Sequence, residues 1–100
     1  MTMDERIRAR LAALAPLEID VRDDSAAHAG HAGAAEGGHY TVTVVAERFA
    51  GCARVARHRL VYDALGPLMG GGIHALALTT LTPAEAARLR PDQTHRKETP

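Results

Sequence analysis

The run His39-Tyr40-Thr41-Val42-Thr43-Val44-Val45-Ala46 decides the fold. β-Branched residues fill it, and Tyr40, Val42 and Val44 fall on one face, the alternation of a half-buried strand. Glu47 to Gly51 reads as a turn. Ala53 to Leu65 reads as a helix whose inward stripe is Val61, Leu65 and Leu68, with Gly66-Pro67 breaking or kinking it. Gly70-Gly71-Gly72 reads as a flexible turn, and Ile73 to Thr80 as a further strand. A strand–helix–strand unit crosses over right-handedly, which makes its two strands parallel. Parallel strands start at the same end of a sheet, so His39 and His74 are expected to share that end.

Upstream, Leu17 to Arg22 alternates apolar and charged residues and reads as a strand paired antiparallel with 39–46. Before it, Met3 to Ala15 reads as a helix with Ile7, Leu11 and Leu14 on one face, ended by Pro16. Asp23 to Gly38 joins the two strands and holds four glycines, six alanines and two histidines. It has no bulky apolar residue and no periodicity, so it reads as a long loop, and loops of this length tend to be functional or disordered. Downstream, Thr82-Pro83-Ala84-Glu85 is a helix start: Thr82 as N-cap, Pro83 at the first helical position, Glu85 closing a capping box. That helix is expected to stop before Pro91. The order is α-β-β-α-β-α, an α+β fold with a three-stranded mixed sheet and helices packed on it. The expected domain covers residues 1–90, followed by a polar tail over 91–100.

Composition narrows the function. One hundred residues make one domain with a modest core. There is no Trp, one Phe and two Tyr, so the core is aliphatic and a deep aromatic-lined ligand pocket is not expected. Twelve basic and twelve acidic residues leave a formal net charge of zero, which gives no overall pull toward nucleic acid. Locally, Arg48, Arg54, Arg57 and Arg59 could form a basic patch. The single cysteine, Cys52, cannot form an internal disulfide, which fits a reducing compartment. No apolar run is long enough for a membrane span, and Met1 to Arg10 lacks the core of a secretory signal, so a cytoplasmic location is expected.

Chemistry concentrates in the histidines. Imidazole binds metals and titrates near neutrality. His28 and His31 form an H-x-x-H pair within the loop, a weak motif that suits either exposed loop residues or a metal site. His74 sits between apolar residues in a strand read as interior. It reads equally as a core histidine satisfied by a backbone carbonyl or as a ligand. His58 reads as a structural residue at the helix–sheet junction and Cys52 as an inert small side chain. No closed tetrahedral zinc site is complete, which points to ligands from a partner. Nucleophile elbows, phosphate-binding loops and dinucleotide fingerprints are absent, so the chain reads as not an enzyme.

These residues carry a resemblance. The loop run Asp23 to His31, then His39-Tyr40-Thr41-Val42-Thr43-Val44-Val45, Phe49-Ala50-Gly51, Arg57-His58-Arg59-Leu60-Val61-Tyr62, Ile73-His74-Ala75-Leu76 and Thr82-Pro83-Ala84-Glu85 together resemble the BolA family. The likeness runs over roughly residues 3 to 88, by the placing of those motifs. It implies a BolA-type fold, related to the type II KH arrangement. It implies a partner, a monothiol glutaredoxin with glutathione, and a [2Fe–2S] cluster bridged between the two proteins. The family's C-terminal cluster histidine matches His74. The second ligand comes from the loop, as Cys in one subgroup and His in another. This chain has no loop Cys and resembles the histidine subgroup, with His28 matching best, His31 next and His39 less well. The function implied is iron–sulfur cluster trafficking or iron and redox regulation, by a chain that is a monomer or weak homodimer when apo. The alternative is a nucleic-acid-binding transcriptional regulator using Arg48, Arg54, Arg57 and Arg59, which the neutral net charge opposes.

Overall fold

A computed structural model describes residues 1–25 and 38–89. Helix α1 (Met3–Leu11) is capped by Thr2, whose side chain accepts from the Glu5 amide while the Glu5 carboxylate receives the Thr2 N–H. The segment expected to be helical through Ala15 tightens into a 3-10 turn over Ala12–Leu14. Ala15 then takes a left-handed backbone (φ 51°) and Pro16 follows, which stops the helix. Strands β1 (Glu18–Asp23) and β2 (Gly38–Val45) pair antiparallel, with Val21 opposite Val42. A short 3-10 turn (Glu47–Phe49) leads to α2 (Arg54–Leu65), then a second 3-10 turn (Gly66–Leu68) and β3 (Ile73–Leu81). Helix α3 (Pro83–Arg88) closes the described chain with the expected Thr82/Glu85 capping box.

The sheet order is β1-β2-β3, with β2 and β3 parallel. The expected α+β class and mixed sheet are both present. One expectation needs correction: β3 is an edge strand, and β2 is the interior one. The right-handed crossover lays β3 beside β2 only, so its other edge has no strand partner, and along it burial alternates, with Ala77 and Thr79 exposed on the face away from the core.

Alternation along β2 sends Tyr40, Val42 and Val44 to the helix-covered side, where all three are buried. They pack with Ile7, Leu11 and Leu14 from the N-terminal segment, Val61 and Leu65 from α2, and Phe49. Each fully buried aliphatic side chain here is worth about 1.5–3 kcal/mol relative to exposure. Leu68 packs against this cluster as the stripe required. Two arginines fasten α1 from outside: Arg8 donates to the Ile19 carbonyl (3.0 Å) and Arg10 to the Ala64 carbonyl (3.0 Å).

The glycine run before β3, read as a flexible turn, is hydrogen-bonded throughout. The Gly70 N–H donates to Ile73, and the Gly71 and Gly72 N–H groups both donate to Leu68, at 3.0–3.1 Å. Gly72 in turn accepts from the Gly38 N–H (3.0 Å), tying the turn to the start of β2. The approach to His74 is therefore fixed by backbone bonds. The tail over 91–100 lies outside the described residues.

Candidate functional site

The parallel pairing brings His39 and His74 together at one end of the sheet, as expected from topology. Their ring centroids are 5.5 Å apart with the planes tilted by 45°. His39 is half-buried and His74 is exposed. His74 is thus not a core histidine.

A register irregularity sets its direction. Gly38 opposes Ile73, yet His39 opposes Ala75, so one extra residue enters β3, and that residue is His74. A bulge of this kind re-aims a side chain and bends its strand. Ile73 and Leu76 both face the core although they are an odd number of residues apart, which only an inserted residue allows. That odd spacing was the available sequence signal for the bulge.

The chain leaving β1 is clasped beside the same pair. The Asp24 N–H donates to the His39 carbonyl (2.7 Å), and the His39 N–H donates to Ser25 Oγ (3.1 Å). Ser25 is itself held by its N–H donating to Asp23 Oδ1 (2.8 Å), a turn that short polar side chains favour. Arg22 donates to Asp24 (2.9 Å), and Thr41 donates to the same carboxylate. His28 and His31 lie outside the described residues. Beneath the pair, burial and then the Asp23 and Asp4 carboxylates push the Tyr40 phenol above its ordinary pKa. It therefore stays protonated at neutral pH and serves as packing.

Among the described residues, no group of three or more His, Cys, Asp or Glu side chains is placed to hold a metal ion. The sole thiol, Cys52, follows the far end of β2 (Gly38–Val45), and the stretch of that strand from His39 to Val45 is about 20 Å long. What this end of the sheet offers is two imidazoles, one of them solvent-facing. Such a set fits a metal centre whose other ligands come from elsewhere.

The arginines split. Arg57 is held inside the fold: it donates to Glu85 through two nitrogens (2.6 and 3.1 Å), to the Thr80 carbonyl (3.1 Å) and to the Cys52 carbonyl (2.8 Å). This bridge, which local sequence could not reveal, holds the Glu85 carboxyl down to about 2 from an ordinary value of 4.5, the Arg57 hydrogen bond being the main cause. Arg48, Arg54 and Arg59 are exposed. His58 is half-buried, with its ring edge-on to Tyr62 at 6.5 Å, consistent with its structural reading.

The family model for BolA-like proteins matches residues 11–85. The chain belongs to the BolA family. It is 42% identical over 84 residues to BolA-like protein 1 of Mus musculus, a match covering 83% of this chain and 60% of that protein. This BolA domain therefore spans about three-fifths of the length of that relative. Among solved structures, it resembles the BolA domain of SufE1 from Arabidopsis thaliana, with a TM-score of 0.72 and 40% identity over 85% of this chain and 96% of that one. A 47-residue stretch is 55% identical to a protein of Vibrio cholerae named DNA-binding transcriptional regulator BolA, covering 47% of this chain and 44% of that one. No described helix is long and apolar enough to cross a membrane.

Proposed function

We propose that this BolA chain is a non-enzymatic accessory protein that pairs with a monothiol glutaredoxin to hold a shared [2Fe–2S] cluster, in iron–sulfur trafficking or iron and redox regulation in the cytoplasm. The observation that carries the reading is the His39–His74 pair, held at the loop end of the sheet in a chain of this family. His74 acts as the fixed ligand. Its backbone is pinned by the bulge and by the bonded glycine turn before it, and its ring faces solvent, where a partner can reach. A loop imidazole supplies the second position: His28 first, His31 next and His39 last. His39 spends both its backbone groups on the Asp24/Ser25 clasp, so its strand position is fixed, and it orients the loop entry. The partner's thiolate and glutathione complete the set.

A cluster with imidazole on one iron has a raised reduction potential compared with an all-thiolate one. Held by two proteins and a small thiol, it is exchangeable, which suits transfer or sensing. The isolated chain is then a monomer or weak homodimer with no tightly bound metal. Anaerobic mixing with a monothiol glutaredoxin, iron, sulfide and glutathione should yield a heterodimer with visible absorption and circular dichroism. His74→Ala should lose or markedly shift that spectrum while the protein stays folded. An unchanged spectrum in His74→Ala would remove this ligand assignment.

The Vibrio cholerae relative's name favours a second reading, direct DNA binding through Arg48, Arg54 and Arg59. Arg57 contributes little to it, since Glu85 and two carbonyls occupy its guanidinium. Phosphate contacts give strongly salt-dependent affinity, so binding should be strongest at low salt. No measurable duplex binding at about 50 mM salt would dispose of this reading.

A further inference from the structure

The two outer edges of the sheet differ in how they are guarded. Along β1, Glu18, Asp20, Arg22 and Asp23 are all charged, and Arg8 donates to the Ile19 carbonyl. Charges on an edge strand discourage pairing with another chain. Strand β3 carries no Asp, Glu, Lys or Arg and no Pro anywhere in Ile73–Leu81. Its outer edge has no strand partner among the described residues.

Successive residues of a strand turn their backbone N–H and C=O groups to opposite edges. The Leu81 carbonyl accepts from the Ala46 N–H just beyond β2 (3.0 Å), so Leu81, Thr79, Ala77 and Ala75 turn toward β2. Thr80, Leu78 and Leu76 therefore turn outward. The Thr80 carbonyl is taken by Arg57 (3.1 Å), and the bulge at His74 ends the regular edge on the other side. Between these two stops, no described residue bonds the outward N–H and C=O groups of Leu76 and Leu78. Their side chains pack against the core, while Ala75, Ala77 and Thr79 are exposed on the opposite face.

We propose that residues 75–79 pair antiparallel with the same stretch of a second copy of this chain, about a two-fold axis at Ala77. In that register the edge is its own complement. Leu76 of each copy lies opposite Leu78 of the other and exchanges both backbone bonds with it, which uses every open group. Leucine meets leucine on the core side, Ala75 meets Thr79 on the exposed side, and the small Ala77 side chains meet at the axis. No like charges face each other. A shift by one residue would bring core-facing positions opposite exposed ones, so the alternation fixes the register. The two sheets become one, with the charged β1 edges outermost. So short a ribbon lies below the size of a stable interface, so the pairing is weak, with a Kd on the order of 0.1–1 mM. It uses no histidine and stands independently of the cluster reading.

The test is dilution of the full chain from about 1 mM, followed by amide ¹H–¹⁵N shifts. It is joined by an isotope-filtered NOE spectrum of an equal mixture of ¹³C-labelled and unlabelled chain. The Leu76 and Leu78 amides should move with concentration. An Hα–Hα contact between the two Ala77 residues should appear, because they form the close, non-hydrogen-bonded pair of an antiparallel ladder. Ala77→Lys and Ala77→Glu each set like charges face to face at the axis and should each weaken pairing several-fold. Mixing the two variants should restore it. Ala77 is exposed, so the remaining spectrum should stay in place. Shifts independent of concentration, or association that neither variant weakens, would overturn the proposal. So would Leu76 and Leu78 amides protected from exchange at every dilution, which would mean that one chain covers its own edge. Shifts at these amides on adding a monothiol glutaredoxin, with none on concentrating the chain alone, would give the edge to that partner and equally overturn self-pairing.

Discussion

Thr80 buries a hydroxyl that has no hydrogen-bond partner among the described residues. An unsatisfied buried donor costs on the order of 1–3 kcal/mol, and a methyl of the same shape does not. Thr80→Val should therefore stabilise the protein by about 1 kcal/mol, read as a higher thermal midpoint. A lower midpoint would mean that the hydroxyl is satisfied in solution. His74 poses the opposite case. It is an exposed polar residue where the flanking Ile73, Ala75 and Leu76 suggested burial. Its chemistry was legible in the sequence, but its exposure was not, because a residue inserted by a bulge does not follow the alternation of its neighbours. Arg57 was equally opaque. Three basic side chains in Arg57-His58-Arg59 look alike in sequence, and only the fold brings Glu85, 28 residues away, against the first of them.

At the scale of elements, the Arg57–Glu85 bridge joins α2 to α3 and to the end of β3. Glu85 has a folded pKa of about 2, below its ordinary 4.5. A depressed carboxylate stabilises the fold above its unfolded pKa and loses that contribution as pH falls toward the folded one. Thermal stability should thus drop as pH falls from about 4.5 toward 2. In Glu85→Gln, which keeps a capping-box acceptor but no charge, that drop should be shallower. Identical pH profiles would show that the bridge does not stabilise the fold.

Strand β2 offers a second check, near the histidines. A Cβ on Gly38 would run into the ring of Tyr40, which is 8% exposed and cannot swing out freely. Gly38→Ala should cost about 1–3 kcal/mol, the usual range for overpacking, and lower the urea midpoint. An unchanged midpoint would mean that the ring moves without cost. The alternation of Tyr40, Val42 and Val44 and the capping box at Thr82 were readable because both are local rules. The bulge at His74 was only half readable, since the odd step from Ile73 to Leu76 signals an inserted residue without saying which one.

Across the whole molecule, the chain separates two kinds of chemistry by the length of its sheet. Imidazoles gather where β2 and β3 start, and guanidiniums gather where β3 ends. The parallel crossover makes this division, because it sends both strands off from the same end and returns the chain through α2. Net neutrality hides it from composition, since twelve charges of each sign cancel in the sum. At the imidazole end, the proposed function has His74 ligating a cluster that a second protein completes. It is tested most directly by pulsed electron paramagnetic resonance of the reduced heterodimer, with this chain alone carrying ¹⁵N-histidine. Strong ¹⁵N hyperfine couplings that diminish in His74→Ala are the expected result. A reduced cluster whose spectrum shows no ¹⁵N coupling, and none altered by His74→Ala, would contradict the account.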